Sequence, residues 1–423
     1  MRLIKPIKRN KITIEGRKNT VLAIVGDTQV GLWVVRSLAR NGLTVHAVVK
    51  SEHGQAAHSR FSASAWILES DLWSESFGDE LEQIVRKLDV GSIMPVSEGH
   101  HNALYDLRDR LGPDIHVFSP PRDAFKKATD KNYMHSLCLE LGVPVARGMR
   151  FDRLMADGKG DALQLPVVLR TRRQNIEGEK AAWKAAYAKT PDQLAVLHKE
   201  VEAYADNVIV QEYHPGVEDH VQILMHDGEP VMVGDYIGEH HMPLAGGVTV
   251  QRVSCHHEGL VNDAVKLLKA IHYEGVAGVQ FHYDPQTDAY IFLEINPRFS
   301  GGLPTVIMAG AEAPFLLWQS HFEPHKMKKI YYRLGLRTRI LGGDANWMFG
   351  MMRGDPLPPG EKRIGKLRTM ATFLWNCGPW TRDDSFLLHD PKPFFVDLGQ
   401  MFKKLGSQTF DIIGNPETEA KSR

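Results

Sequence analysis

An α/β fold of more than one domain, opening in a doubly wound lobe, is predicted by three features of the sequence. The first is its beginning. Val21-Leu22-Ala23-Ile24-Val25-Gly26 reads as a buried strand ending in glycine, residues 30–40 have helical spacing, and Thr44–Val49 is a second β-branched run. The second is length, since 423 residues exceed what one hydrophobic core usually serves. The third is a late hairpin: Gly275–Tyr283, the turn-rich Asp284–Asp288, then a second apolar run from Tyr290 to Leu293. It gives the part after the opening lobe an α+β character.

Hydrophobic residues make up 43% and charged residues 24%, and 51 basic side chains balance 51 acidic ones. These are the proportions of an ordinary soluble protein, and no net charge points to nucleic acid. Three distant cysteines, Cys138, Cys255 and Cys377, speak against a disulfide framework and for a reducing, cytoplasmic setting. No apolar run approaches the ~18 residues that span a bilayer.

From the N-terminus, residues 1–18 hold seven Lys/Arg against one Glu and no apolar core. They read as a basic leader, residues 1–20, outside the first domain. Strands at Ala65–Leu68, Ser92–Val96 and Ile115–Phe118, with helices at Glu80–Leu88 and Glu98–Leu111, fit one open sheet. Gly26 and Gly31 do not form Gly-x-Gly-x-x-Gly, and Lys50 follows the second strand where a dinucleotide fold has an acid. Both points weigh against an NAD-dependent oxidoreductase, which stays as an alternative. Ser97-Glu98-Gly99-His100 follows a strand and opens a helix. It is either a plain cap or a place where Glu98 and free backbone N–H groups meet a substrate.

Asp130-Lys131-Asn132 starts an amphipathic helix that runs to Leu141 and into Gly142-Val143-Pro144. Leu165–Arg170 is a strand ending in a cation, and residues 172–180 form a polar loop with a single glycine, Gly178. Asn207–Gln211 leads through Glu212-Tyr213-His214-Pro215-Gly216 to Glu218. Two histidine-rich patches follow, Glu239-His240-His241 and Cys255-His256-His257-Glu258. Their donors suit zinc, but neither has His-x-x-x-His or Cys-x-x-Cys spacing, so no zinc site is expected.

The most telling stretch is Phe292-Leu293-Glu294-Ile295-Asn296-Pro297-Arg298-Phe299-Ser300-Gly301-Gly302. Side chains alternate along an extended chain, so Glu294, Asn296 and Arg298 share a face. A carboxylate and an amide oxygen suit a hard cation such as Mg²⁺, and a guanidinium suits the phosphates that share it. If Asp284 opposes Tyr290, then Gln280 opposes Glu294 and joins the same spot. A one-residue slip would break that arrangement.

Residues 278–302 resemble the metal-binding end of ATP-grasp enzymes, above all the carbamoyl-phosphate synthetase branch and its carboxylate–amine ligase relatives. The order of parts over residues 21–320 is similar to theirs. The resemblance implies a Rossmann-like pre-ATP-grasp domain over 21–125 and an ATP-grasp domain over 126–320. Within the latter, a smaller lobe (126–206) and a hinge and metal lobe (207–320) would sandwich ATP. A basic extension, 321–423, would pack on the body. Mg²⁺, or Mn²⁺ in its stead, is implied on Gln280, Glu294 and Asn296, with Lys131, Arg170 and Arg298 as cations on the phosphates and the reacting groups. Gln211, Glu212 and Tyr213 would form the adenine hinge through their backbone, and Glu218 would accept from the ribose. His240, His241, Gly246 and Gly247, together with Glu98 and Arg298, would face the substrate, with the two glycines lining an acyl-phosphate chamber. The implied activity joins a small-molecule carboxylate to an amine or thiol; a homo-oligomer is left open. Many members carry a glycine-rich flap where this chain has 172–180, which keeps open an ATP-binding regulatory protein without turnover.

Residues 325–339 hold six Lys/Arg and no acid. They read as a solvated basic face, with docking to an anionic surface as the second reading. An amphipathic helix is expected over Val396–Leu405, and residues 416–423 are expected to lack fixed structure.

Overall fold

Two near-continuous apolar strands, of five and six residues, set the centre of the first sheet. In β2 (Thr20–Ile24), Val21 and Ala23 enter one core while Leu22 and Ile24 enter another. A strand buried on both faces belongs in the middle of a parallel sheet. The computed structural model of the chain describes residues 1–5, 17–152, 163–171, 185–202 and 207–401. Around β2 it arranges β1 (Arg2–Lys5), β3 (Thr44–Val49), β4 (Ser64–Ile67), β5 (Ser92–Pro95) and β6 (His116–Val117) in the order β1-β4-β3-β2-β5-β6. All neighbours are parallel except β1 on β4. Helices Gln29–Arg40, Glu75–Leu88 and Glu98–Leu111 join them. Gly31 fits because a Cβ there would stand 2.5 Å from Val25. This glycine serves close helix–strand packing.

The leader reading is corrected in its described part. Arg2–Lys5 is no free tail but an edge strand on β4, with Arg2 2.8 Å from Glu52. Backbone pairing with an open sheet edge outweighs the solvation of a short basic segment. Residues 6–16 lie outside the described residues.

A small antiparallel sheet follows, in the order β7-β10-β8-β9: β7 (Gly148–Arg150), β8 (Val167–Thr171), β9 (Ala185–Ala188) and β10 (Val208–Glu212). Helix Pro191–Val201 covers its apolar face through Leu194, Leu197 and Val201. The loop 172–180 lies outside the described residues.

The largest sheet runs β15-β14-β11-β12-β13-β16-β17, with β11 (Val217–His226), β12 (Glu229–Met242), β13 (Val248–Cys255), β14 (Gly275–Asp284), β15 (Ala289–Asn296), β16 (Arg337–Arg339) and β17 (Thr381–Asp383). Helices Glu258–Ala270 and Lys131–Leu141 cover one face, where Val221, Leu267 and Phe281 are fully buried. The other face shares a continuous core with the first sheet, in which Leu224 and Tyr236 meet residues such as Trp33.

The basic stretch 325–339 is corrected in its last part only: Lys326, Lys328, Lys329 and Arg333 are exposed, as a solvated basic face requires. Arg337 and Arg339 lie in β16, inside the largest sheet. Arg337 is 2.9 Å from Glu239, and buried Arg339 is 3.3 Å from Asp344. Their charges are consumed by pairing. Residues 392–401 are helical, starting before the expected Val396, and residues beyond 401, including 416–423, lie outside the described residues. Among the described residues no helix is long and apolar enough to cross a membrane.

Candidate functional site

The hairpin β14–β15 builds the centre of the site. Gln280 opposes Glu294 as expected, but by a different route: Tyr283, not Asp284, opposes Tyr290. A bulge then shifts the ladder, because Phe281 pairs with Phe292 while Gln280 pairs with Glu294, leaving Leu293 as the extra residue. One offset cancels the other. Gly278 opposes Asn296, so the polar row begins where the hairpin ends.

Helix Lys131–Leu141 delivers a cation to this row. Asp130 caps it by accepting from the N–H groups of Asn132 and Tyr133 at 3.1 and 3.3 Å. Gly142, at φ +69°, ends it. The chain then runs beside β15, where Phe292 N–H donates to Pro144 at 2.7 Å. Lys131 Nζ thereby stands 2.9 Å from Glu294 Oε2. Asn296 Nδ2 donates to Glu294 Oε1 at 3.2 Å, and Arg298 Nη2 donates to Asn296 Oδ1 at 2.9 Å. Arg298 Nε reaches Glu98 Oε1 at 3.2 Å. Ser97 caps the Glu98 helix by accepting from His100 N–H, so the cap and the Glu98 contact coexist.

Burial alone would raise the Glu294 carboxyl. Lys131 and Arg170 outweigh it, with hydrogen bonds from Lys131 and Asn296, and hold it down at about 2. Arg170, on β8 opposite Ile209, also acts electrostatically on Tyr187 and His282. It therefore lies between the Glu294 row and a second group of side chains.

That second group lines a cavity of about 250 Å³ containing Tyr187, Tyr213, Glu218, His241, Gly246 and His282. Tyr187 and Tyr213 meet edge to face at 5.4 Å. Glu218 Oε2 is 3.2 Å from His220 Nε2 and 3.4 Å from His241 Nε2. Burial opposes ionisation of Glu218, but these two imidazoles hold it well below the usual carboxylate range. His241 is correspondingly raised by Glu218 against the effect of burial. Glu361 and Lys362, from the C-terminal region, complete the wall.

Several expected site residues are engaged differently from what the resemblance implied. Gln211 packs on β7, close to Gly148, and does not line the cavity. Glu212 accepts from Gln164 N–H at 2.9 Å, and its own N–H donates to Arg147. Tyr213 N–H donates to Pro166 at 2.9 Å, so this hinge position has no free N–H for a base edge. His240 is buried in the wall, bonded to Asp344 at 2.6 Å and stacked on Trp347. Gly247 faces its own turn: a Cβ there would lie 2.3 Å from the Met242 carbonyl oxygen, so it lines no chamber. Gly246, at φ +119°, does border the cavity beside Tyr187.

A smaller cavity, about 150 Å³, opens beside Arg298, with His101, Ser119, His226 and His321 on its walls. Burial first, then neighbouring His100, Arg298 and Arg108, pushes His101 down to about 3, so His101 meets the cavity uncharged, while Arg298 and Glu274 bring charge to its lining. Tyr187, His282 and Glu361 were not anticipated from the sequence. No local periodicity marks them, because only the tertiary approach of β9, β14 and the C-terminal region brings them to one place.

A family model described as ATP-grasp in the biosynthetic pathway with Ter operon matches residues 205–341, the stretch that holds Glu218, Gln280, Glu294, Asn296 and Arg298. No curated protein matches the chain. Among solved structures, a biotin carboxylase complex with β,γ-ATP from Campylobacter jejuni superposes with a TM-score of 0.60 at 16% identity, covering 75% of this chain and 74% of that one. The biotin carboxylase domain of Hydrogenobacter thermophilus 2-oxoglutarate carboxylase, with MgADP and bicarbonate, gives 0.59 at 15%, over 75% and 73%. An N5-carboxyaminoimidazole synthetase from Staphylococcus aureus gives 0.58 at 16%, over 80% and 86%. At these identities the likeness is one of fold.

Proposed function

We propose that this chain, whose residues 205–341 match an ATP-grasp family model and whose fold is like that of biotin carboxylase, is an ATP-dependent ligase of the ATP-grasp kind. ATP phosphorylates a substrate carboxylate, and an amine or thiol displaces phosphate from the resulting acyl phosphate. The observation that carries this reading is the continuous row Lys131–Glu294–Asn296–Arg298–Glu98, with Gln280 opposite and Arg170 beside it. It unites cations for phosphate with oxygen donors for a hard metal.

An ionised Glu294 and the amide oxygens of Asn296 and Gln280 are a donor set that fits Mg²⁺, and these residues would hold it. When bound, the ion supplies neutralisation of phosphate charge. Lys131 exchanges Glu294 for a phosphate oxygen once nucleotide arrives, and Arg170 offers a two-pronged grip on the same group. Tyr187, Tyr213 and His282 give a purine base aromatic walls. Glu218, kept ionised by its imidazole partners, accepts from ribose hydroxyls. Arg298, reaching the smaller cavity, orients the acid to be activated. No enzyme nucleophile is required.

The test is Mg²⁺-dependent ADP formation, screened over carboxylates paired with amines and thiols. Wild-type protein is expected to show turnover that depends on a particular pair. Glu294→Gln is expected to bind nucleotide yet lose turnover by ~100-fold or more, as sites do when a key electrostatic group is removed. Near-normal turnover in that variant overturns the metal-row assignment. Tight ATP binding without turnover for any pair favours the regulatory alternative.

A further inference from the structure

Asp219, Asp235, Cys255 and His257 come from three strands and the start of a helix. Along β11, Glu218 and His220 face the nucleotide-side cavity, so Asp219 points to the opposite face. Asp235 and Cys255 are directly opposed across β12 and β13, and Asp219 opposes Ile237, two residues along β12 from Asp235. His257, two residues beyond Cys255, opens helix Glu258–Ala270. The four side chains thus meet under that helix, remote from the Glu294 row in their facing. We propose that they form a structural site for a divalent transition metal, best suited to Zn²⁺.

The distances are those of a site awaiting a small contraction. One donor atom from each residue lies within 4.8 Å of the others. His257 Nδ1 is 2.6 Å from Asp219 Oδ2 and 4.0 Å from Asp235 Oδ2. Cys255 Sγ is 3.4 Å from Asp235 Oδ1 and 4.0 Å from Asp219 Oδ2. His257 N–H also donates to Asp235 Oδ2 at 2.7 Å, which fixes that carboxylate as an outer hydrogen bond fixes a metal ligand.

A second observation is independent of the grouping. Asp219 is fully buried, and among the described residues no backbone N–H, amine, guanidinium or hydroxyl donates to its Oδ1; its neighbour there is the Asp235 carboxyl. Among the described residues no Lys or Arg pairs with Asp219 or Asp235; His257 is their one basic partner. Two buried carboxylates beside one imidazole call for further positive charge. A divalent ion supplies it, and a thiol with an imidazole selects a borderline-soft metal over Mg²⁺ or Ca²⁺. Four donors match a closed tetrahedral site. His257 and Cys255 keep partial exposure, which leaves an entry path. The metal would pin the helix to β11–β13, and its loss would loosen that corner.

The test uses the full chain, stripped with a chelator and titrated with Zn²⁺ against a chromophoric competitor, with melting temperature followed in parallel. About one zinc per chain is expected, with a rise in melting temperature. Co²⁺ in its place should show thiolate-to-metal charge-transfer absorption, which reports Cys255 directly. Asp219→Asn, nearly isosteric, and Cys255→Ser should each weaken zinc by ~10-fold or more. None of these readouts involves ATP turnover, so failure here leaves the ligase proposal standing, and the reverse. Wild-type protein that takes up no zinc overturns the site, as does unaltered zinc affinity in Asp219→Asn. If wild-type protein binds no zinc and Asp219→Asn melts higher than it, the two carboxyls share a proton instead of holding a metal.

Discussion

Glu294 is a carboxylate under opposing demands, and its charge has a measurable signature. Burial disfavours ionisation, yet Lys131 and Arg170 hold the group at about 2 against an ordinary 4.5. A carboxyl whose folded value lies below its unfolded one stabilises the fold above the unfolded value, and that contribution disappears as pH falls through the folded value. For Glu294 the window therefore runs from about 4.5 down to about 2. Glu294→Gln leaves Lys131 and Arg170 without their anion, so it should melt lower than wild type at neutral pH. The gap should close as pH drops through that window. Melting curves of both proteins across acid pH check this, and a gap independent of pH would mean the cations do not depend on Glu294. At this scale the sequence was readable where the rule is local. Alternation along one strand was enough to align Glu294, Asn296 and Arg298. The contact of Lys131 with Glu294 spans most of the ATP-grasp part; the resemblance implied both residues at the ATP site, but not their pairing. His240 and His241 are adjacent in sequence, yet bulges in the β12–β13 ladder send one to Asp344 and the other to Glu218. Alternation separates two neighbouring histidines, but which of them reaches Glu218 is set by the bulges.

Elements were more legible than their joints. Thr44–Val49 and Glu98–Leu111 form over the residues expected, because β-branched runs and helical spacing with a Ser cap are self-contained signals. The β14–β15 bulge had no such signal: it depends on how Leu293 fits its neighbours, and register errors are invisible to a pattern of period two. The loop after β12 shows how a glycine can mislead. Gly246-Gly247 suggested close approach to a ligand, but only Gly246 borders the cavity, while Gly247 makes room for its own turn. Gly247→Val is therefore expected to force the Met242–Pro243 backbone aside, at a cost of ~1–3 kcal/mol for overpacking. At roughly 2–4 °C per kcal/mol, that is a loss of several degrees in melting temperature. Nucleotide affinity and turnover should fall together, because β12 carries His241 into the cavity beside Glu218. An unchanged melting temperature, with loss confined to the acceptor, would restore the chamber role.

Across the whole molecule, the C-terminal region is what composition described least well. Counted as charge, residues 325–339 were a basic surface; folded, the region supplies β16, β17 and the wall residues Glu361 and Lys362. It also ties the first sheet to the largest one. Trp33 Nε1 donates to the Asp384 carbonyl at 2.5 Å, and Arg252 pairs with the Asp384 carboxylate while donating to Gly301 at 2.9 Å, just beyond Arg298. Six residues on, Asp390 accepts from Arg36 Nε at 2.9 Å, from Ser59 Oγ at 2.7 Å and from Arg60 N–H at 2.8 Å. Arg36 is 0% exposed and Asp390 2%, so neither charge has water as a substitute partner. Whether such a pair adds net stability over an apolar replacement is a separate matter from the cost of breaking it. Removing one member strands the other, typically at 3–5 kcal/mol, or on the order of 10 °C in a melt. Asp390→Ala is thus expected to melt far below wild type and to expose the chain near residue 390 to protease, whereas Asp390→Asn, which keeps one acceptor oxygen, should lose less. Because the same segment braces Gly301 through Arg252, nucleotide-dependent turnover should fall in Asp390→Ala even at temperatures where the protein stays folded. A wild-type melt and unaltered proteolysis in Asp390→Ala would show that the C-terminal region rests on the body without supporting it.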